Sequence, residues 1–578
     1  MKYYTETRTK EYLLPETIVL KTQTVTDEAL LLSAYSRQNF LGRENTCIVK
    51  GKGVIIFDFG QEYYGGLRIV LGGCEMRPNV PNISIRFGES LSECCTPMGE
   101  KNASNDHSTR DMTVYMSSNS DMEWGNTGYR YVRIEFIEDG IYRINNVFGT
   151  FIHGAYPDAV YETDDETVNK ILKMVTRTVF LNAQNYIWDG IKRDQHVWVG
   201  DLFPEVLGYL YLYKDRKVVR DTLDFVLDTA GFPCWMNGIP SYNVWFLLVV
   251  DAYCRLTGEK NERYAEAVYQ ILQQLDGCIQ GGELHPERAG LSYWCADFFD
   301  WPTFEHEDGR RGVHYLLRYA LKAVQRQPLC GAKACELARK ISEKLGPLAG
   351  EATFKSVAAL KLLCGEADEG RVAFLKADGA AGYSSFLSYL ISRALVENGE
   401  MQAAFDNLKE YYGGMLAMGA TTCWESFDVA WMKNACKITE LPREGKEDVH
   451  GDRGADCYLG FRHSLCHGWS CGFLPFFVEN VVGFHYMDEQ CTKVAFTPSL
   501  CGLKYVRASI PTPKGMVEVE HKLVNGRVET SCRMPEGLTY DGENAENACV
   551  QLCADHCGAL RTSCKAHVAN LIDDRSVL

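Results

Sequence analysis

The segment Trp188-Asp189-Gly190-Ile191-Lys192-Arg193-Asp194-Gln195-His196-Val197-Trp198-Val199-Gly200-Asp201 puts three aspartates, two cations and two tryptophans in one short run. Apolar residues at helical spacing precede it, Glu166 to Asn182, and follow it, Leu202 to Lys214. Both flanks are apolar enough to enter a core. The segment thus reads as a charged, aromatic loop held between core helices, where isolated carboxylates and guanidinium groups are costly to desolvate. Two readings meet that cost. One is a buried ion-pair network that ties the helices together. The other is a pocket for a polyol: carboxylates accept sugar hydroxyls, tryptophan faces stack on a ring, and one carboxylic acid donates a proton. The residue types favour a sugar-processing site.

Outward from this loop, helical periodicity extends from Asp164 to about Gly483. Leu207 to Ala230, Tyr242 to Leu256, Arg263 to Leu275, His314 to Gln325, Cys335 to Leu345, Phe354 to Leu363, Phe386 to Asn398 and Met401 to Tyr412 all repeat apolar residues at i, i+3, i+4. No strand runs alternate with them, so a parallel α/β fold is excluded and an α/α barrel or toroid is expected. Before this region, Val54–Phe59, Leu67–Leu71, Ile83–Phe87 and Tyr131–Phe136 alternate apolar and polar positions between turn residues, the pattern of an antiparallel sandwich. After it, Val506–Ile510 and Met516–Glu520 flank the turn Pro511-Thr512-Pro513-Lys514-Gly515, as in a hairpin. The expected organisation is a β-sandwich over residues 1–160, a helical catalytic domain over 161–486 and a smaller β-domain with a cysteine-rich tail over 487–578.

Bulk composition narrows the function. The 578 residues suffice for several domains with large cores. Hydrophobic residues make up 46% and charged residues 24%, the balance of a globular protein. A formal charge of -16 and the lack of a Lys/Arg-rich run argue against nucleic acid as a partner. The longest apolar runs, such as Trp245 to Val250, are too short to cross a bilayer, so no membrane partner is expected. The polar start Met1-Lys2-Tyr3-Tyr4 lacks the apolar core of a signal peptide. With 23 scattered cysteines, this predicts reduced thiols in a cytoplasmic protein. Assembly into a homo-oligomer is left open. Cys549, Cys553, His556 and Cys557 would share one face if helical, which suits either a zinc ion or an apolar stripe.

Three more constellations sit at ends of helical patterns. In Gly419-Ala420-Thr421-Thr422-Cys423-Trp424-Glu425 a glutamate follows a tryptophan, and Thr422 with Glu425 also has the spacing of a helix capping box. Asp297-Phe298-Phe299-Asp300-Trp301-Pro302 is an acidic, aromatic turn stopped by proline, suited to a binding role or to a solvated turn over a core aromatic. Ser464-Leu465-Cys466-His467-Gly468-Trp469-Ser470 brings a histidine just ahead of the last amphipathic helix.

Together these motifs resemble the α-L-rhamnosidases of glycoside hydrolase family 78. The Asp189 to Asp201 segment is similar to that family's Asp-x-x-x-Arg-acid-x-x-x-Trp-x-Gly-Asp motif. Ala420 to Glu425 is similar to its Thr-Thr-x-Trp-Glu motif, and Cys466-His467-Gly468-Trp469 to its late histidine motif. Asp58-Phe59-Gly60 with Gly65-Gly66, Arg86-Phe87-Gly88-Glu89-Ser90 and Gly128-Tyr129-Arg130-Tyr131-Val132 resemble marks of its N-terminal sandwich. The Pro511–Gly515 turn resembles part of its C-terminal β-domain. The likeness runs from about residue 50 to residue 530.

The resemblance implies an (α/α)6 barrel with a pocket for one terminal rhamnose and hydrolysis that inverts the anomeric centre. It makes Asp194 the general acid, which needs a raised pKa near neutrality, and Glu425 the general base. Asp189, Arg193, Asp201, Asp300 and His467 become hydroxyl contacts, and Trp198 and Trp301 walls for the ring and its 6-methyl. No cofactor and no metal are called for, because two carboxylates carry every step. The chain departs from many relatives, which have glutamate at or beside Asp194 and often arginine where this chain has Gln195-His196. Aspartate reaches roughly an ångström less far, so Glu205 is the alternative acid. The chain is also shorter than many relatives. Two other functions fit the same motifs: a hydrolase of this fold for another deoxy sugar or a uronic acid, and an inactive carbohydrate-binding relative. The presence of both Asp194 and Glu425 speaks against the latter.

Overall fold

The computed structural model describes residues 6–33, 45–541 and the backbone of 548–552. The chain forms two compact units, each assembled from separated stretches. The first takes Met1–Tyr156, Phe180–Trp198 and Gly414–Ser470, and the second Pro157–Val179, Val199–Gly413 and Cys471–Leu578.

The first unit is built on a ten-stranded sheet. Three long strands carry it: Gly53–Leu71, Ser120–Phe136 and Gly140–His153. Gly53–Leu71 changes partner along its length, pairing near Ile55–Asp58 with Thr17–Lys21 and over Gly65–Leu71 with Gly140–His153. Its pairing with Ser120–Phe136 is interrupted between Asp58 and Tyr63 and again between Gly65 and Gly66. Such breaks let a strand bend and bring one sheet around its own core. Gly65 has φ 151°, and a Cβ there would lie 2.1 Å from the Thr150 carbonyl oxygen, so only glycine passes.

Residues two apart along the strands point inward. Ile55, Phe57 and Phe59, Ile83, Ile85 and Phe87, and Val132, Ile134 and Phe136 are buried in a single cluster. Ile191, from the Trp188–Asp201 segment, and Cys466 belong to that same cluster. Burying a side chain of Ile191's size contributes about 1.5–3 kcal/mol, enough to fasten the motif loops onto the sheet.

The second unit is helical with a small sheet. Leu202–Leu212 packs on Pro240–Thr257, which packs on Glu307–Arg326. Lys355–Leu363, Ser388–Glu397 and Phe473–Phe476 follow in turn, and the last returns to Leu202–Leu212. Leu202–Leu212 and Lys355–Leu363 are buried at every residue, and Pro240–Thr257 at nearly every one. Helices that are apolar all round belong inside. Lys217–Thr229, Glu262–Gly277 and Ala332–Lys344 bury one face only. The periodicity from Leu207 to Ala230 resolves into two helices rather than one. Buried Arg216 ends the first by donating to the carbonyls of Leu210 and Tyr213, which the last turn of a helix leaves unpaired.

The unit's sheet runs in the order Val160–Thr163, Tyr505–Thr512, Gly515–Val524, Arg527–Arg533, Ala548–Leu552. Its central hairpin turns at Pro513-Lys514, with Thr512 opposite Gly515. The backbone of Cys549 lies on the last strand, while Cys553, His556 and Cys557 fall outside the described residues. The cysteines among the described residues are unbridged, and most are buried. No helix among the described residues is long and apolar enough to cross a membrane.

Candidate active site

The Trp188–Trp198 loop in the first unit is ordered by Asp189. One of its carboxylate oxygens accepts from the Asp194 N–H at 3.0 Å and the other from the His196 N–H at 3.0 Å. Its own N–H donates to the His196 carbonyl, and its carbonyl accepts from the Gly468 N–H. Gly190 then bridges to His467. A Cβ at Gly190 would lie 2.5 Å from the Arg193 carbonyl oxygen and 3.2 Å from His467 Nδ1, so the glycine allows the two loops to meet.

Arg193 links the two expected catalytic carboxylates. Its Nη2 donates to Glu425 Oε1 at 2.8 Å and Oε2 at 3.0 Å, while its Nη1 lies 3.3 Å from Asp194 Oδ1. Its Nε donates to the Arg462 carbonyl at 2.8 Å. Two such contacts and the width of one guanidinium bring the nearest oxygens of Asp194 and Glu425 within roughly 8.5 Å. Their settings differ. The Glu425 side chain is 4% exposed and that of Asp194 13%.

Glu425 also accepts from the Ser464 N–H at 2.9 Å, and its backbone carbonyl accepts from the Trp469 indole N–H at 2.8 Å. Burial raises its proton affinity, but Arg193, His467 and the Ser464 N–H outweigh burial and hold the carboxyl below its ordinary value. Glu425 is therefore a carboxylate at neutral pH. The capping box that Thr422 and Glu425 could have formed does not exist: residues 421–428 are not helical. Thr422 donates to the Leu465 carbonyl at 2.7 Å, Thr421 accepts from the Glu62 N–H at 3.0 Å, and Ser470 donates to the Trp424 carbonyl at 2.6 Å. Side chains of the threonine–tryptophan–glutamate segment thus hold neighbouring loops instead of starting a helix.

Asp194 accepts from the Trp198 indole N–H through Oδ2 at 3.0 Å, while His107 Nε2 lies 3.0 Å from Oδ1. His467 Nδ1 is 4.0 Å from Glu425 Oε1, and its ring packs edge-on against Trp469. Asp189, Arg193, Asp194, Trp198, Glu425 and His467 thus gather in the first unit.

Asp201, Asp300 and Trp301 belong to the second unit. Asp201 is buried just ahead of Leu202–Leu212, with the Tyr242 hydroxyl 3.5 Å from its carboxylate. Asp300 accepts from the Trp301 N–H at 2.8 Å and from the Ser384 hydroxyl at 2.5 Å. The Trp301 ring lies near-parallel to exposed Trp294, 6.2 Å away. Glu205 is buried within the Leu202–Leu212 helix.

Beneath the Arg193 loop lies a buried ionic cluster that sequence reasoning passed over. Lys192 Nζ lies 2.9 Å from Glu89 and 3.3 Å from Glu93, and it donates to the carbonyls of Phe461 and His463. Glu89 accepts from the Leu465 N–H at 2.7 Å. Burial lifts the Glu89 carboxyl to about 7 despite the Lys192 ammonium beside it. Glu89, Glu93 and His450 stand close enough to hold a cation. The Lys192 ammonium supplies that charge, and both His450 ring nitrogens are engaged, by the Ser90 hydroxyl and the His463 carbonyl. The available signal was an acidic residue, Glu89, within the Arg86–Ser90 sandwich motif.

No family model matches the chain, and no curated protein matches it in sequence. Solved structures do. A GH78 family rhamnosidase of Bacillus sp. GL1 superposes with a TM-score of 0.67 at 17% identity, over 90% of this chain and 55% of that one. An α-L-rhamnosidase of Streptomyces avermitilis complexed with L-rhamnose gives 0.64 at 16%, over 87% and 49%. A Klebsiella oxytoca rhamnosidase with rhamnose bound gives 0.60 at 16%, over 82% and 96%. The chain spans about half the length of the Bacillus and Streptomyces proteins. At these identities the likeness is one of architecture: a multidomain fold of helical and β-sheet parts, shared with the α-L-rhamnosidases.

Proposed function

We propose that this protein is an exo-acting glycoside hydrolase that releases terminal α-L-rhamnose with inversion, Asp194 serving as acid and Glu425 as base. The observation that carries the reading is the Arg193 bridge. It keeps two carboxylates no more than roughly 8.5 Å apart, below the upper end of the range of about 6.5–9.5 Å used by inverting glycosidases. Glu425, held ionised by Arg193 and the Ser464 N–H, suits the base. Asp194, less buried than Glu425 and fixed in orientation by the Trp198 indole, is the proposed acid. The acid protonates the departing oxygen while Glu425 takes a proton from the attacking water. Arg193 keeps the two carboxylates in register, and Asp189 shapes the loop through backbone N–H groups. His467 is the proposed hydroxyl contact, and the Trp198 ring the proposed apolar wall.

L-rhamnose in the Streptomyces protein and rhamnose in the Klebsiella protein support the choice of sugar. The succession of six packed helices in the second unit supports reading it as the inner layer of an (α/α)6 barrel, between a sandwich ending near residue 160 and a β-domain starting near 487. The unbridged cysteines support a cytoplasmic site of action. A panel of nitrophenyl glycosides tests the reading: turnover of the α-L-rhamnoside with β-L-rhamnose as the first anomer seen by NMR supports it. Turnover only of another deoxy sugar or a uronide moves the substrate, and no turnover of any glycoside makes the chain a binding protein.

A further inference from the structure

The loop before Asp111 carries His107, which neither motif nor spacing brought forward. His107 is a non-glycine residue with φ 66°, a conformation that side chains rarely adopt and that persists only where the surroundings impose it. They do so on both sides. Asp106 is gripped by Arg462 through Nε at 3.0 Å and Nη2 at 2.8 Å. The Ser108 hydroxyl donates to the Lys192 carbonyl, immediately before Arg193 and Asp194, and also meets Thr127 Oγ1 at 2.9 Å. The loop's base is closed by Asn105, whose side chain accepts from the N–H groups of Arg110 and Asp111. The result is an imidazole Nε2 held 3.0 Å from Asp194 Oδ1 and 3.3 Å from Asp106 Oδ1, with the side chain still 31% exposed. The charged and titratable groups facing it are Asp194, Asp106, Arg193 through Asp194, Arg462 through Asp106, and His196, whose ring lies edge-on at 5.7 Å.

We propose that His107 is a positioning residue that shares one proton with Asp194 and restores it after each turnover. This rests on Asp194 as the acid. In the hydrolytic step the Asp194 proton passes to the glycosidic oxygen, which leaves with the bonding electron pair. Water adds to the anomeric carbon and gives its proton to Glu425. Asp194 is then a carboxylate. His107, open to solvent, then takes up a proton there and passes it from Nε2 to Asp194 Oδ1, while Glu425 releases its proton to solvent. The sum is addition of one water across the bond. Histidine is the side chain suited to this because its charge changes near neutrality.

The test uses the full chain and two readouts. In His107→Gln, which keeps a donor but cannot titrate, the alkaline limb of kcat/KM for an alkyl rhamnoside should move toward lower pH by about one unit or more. At pH 7 this substrate should lose on the order of 10²-fold, while a nitrophenyl rhamnoside changes by only a few-fold and the melting temperature stays put. A loss equal for both substrates, with the profile's shape unchanged, overturns the proposal. The second readout needs no activity: in 15N-histidine spectra, the His107 ring signals should report a proton shared with Asp194 in the native protein and a ring facing Asp106 alone in Asp194→Ala. His107 signals identical in the two proteins overturn it. If no rhamnoside is turned over, the hydrolase reading falls, and the spectra still decide whether the pair shares a proton.

Discussion

Glu425 in the first unit and Glu479 in the second are both buried carboxylates held ionised against burial by an arginine. Glu479 accepts from the hydroxyls of Tyr211 at 2.9 Å and Tyr389 at 2.5 Å, with Arg255 at 3.3 Å. Its partners come from three different helices, Leu202–Leu212, Pro240–Thr257 and Ser388–Glu397, so it ties helices together beside a cavity of about 310 Å³. Glu425 instead shares its arginine with a second carboxylate, Asp194. A buried carboxylate with an arginine is thus no mark of catalysis by itself. What sets Glu425 apart is a guanidinium shared with a second carboxylate that is less buried than itself.

The largest effects should separate these roles. Glu425→Gln should cut kcat by about 10²–10⁴-fold for alkyl and activated aryl rhamnosides alike, since each needs the activated water. Azide should partly restore turnover, giving the inverted glycosyl azide. Because the Glu425 carboxyl lies below its ordinary value, the acid limb of the native pH–rate profile should fall at a pH below that of an ordinary glutamate. Asp194→Asn should slow alkyl rhamnosides by about 10²–10⁴-fold and aryl rhamnosides far less. If Glu205→Gln gave that leaving-group dependence and Asp194→Asn did not, the acid would be Glu205 and the Arg193 bridge would lose its meaning.

Glu479→Gln should leave kcat within about two-fold and destabilise the chain by on the order of 2 kcal/mol, because it strips the charge partner from a partly screened Arg255. A large loss of kcat at unchanged stability would erase the contrast between the two glutamates. The depressed Glu479 carboxyl stabilises the fold above the unfolded carboxylate range, and that contribution disappears as pH falls through the folded value. Glu89 works the other way. Its carboxyl is lifted to about 7, so the folded chain holds a proton that the unfolded chain has released, and stability falls as pH rises from the ordinary carboxylate range to neutrality. Urea midpoints at pH 5 and pH 8 should differ by an amount worth about 2–3 kcal/mol, and Glu89→Gln should flatten that slope. The smallest effect is chemical: the 23 cysteines should titrate as free thiols in denatured, unreduced protein, and several disulfides would contradict a cytoplasmic site of action.

Much of the site was readable because motif residues carry their chemistry locally. Arg193, Asp194 and Glu425 were expected from spacing and resemblance, and they meet. Thr422 and Glu425 misled as a capping box because a cap and a loop anchor share the same side chains, and only the partner, the Leu465 carbonyl or a helical N–H, tells them apart. His107 escaped notice because nothing near it in sequence suggests a site, and Glu89, though quoted within a sandwich motif, because its partner Lys192 meets it only in the fold.

By itself the sequence determined the elements: period-two strands, the mostly apolar helices that go inside and the one-faced helices that do not, and the loops rich in carboxylate and tryptophan. These are local properties, set by how side chains repeat along one backbone. Only the tertiary structure decided that Arg193 would meet Glu425 across a separation of 232 residues, that Lys192 would sit between Glu89 and Glu93, and that His107 would face Asp194. Beside those meetings, Ile191 and Cys466 are buried in the core of the sheet. Apolar burial is non-directional, and nothing local in the sequence says which loop lands beside which.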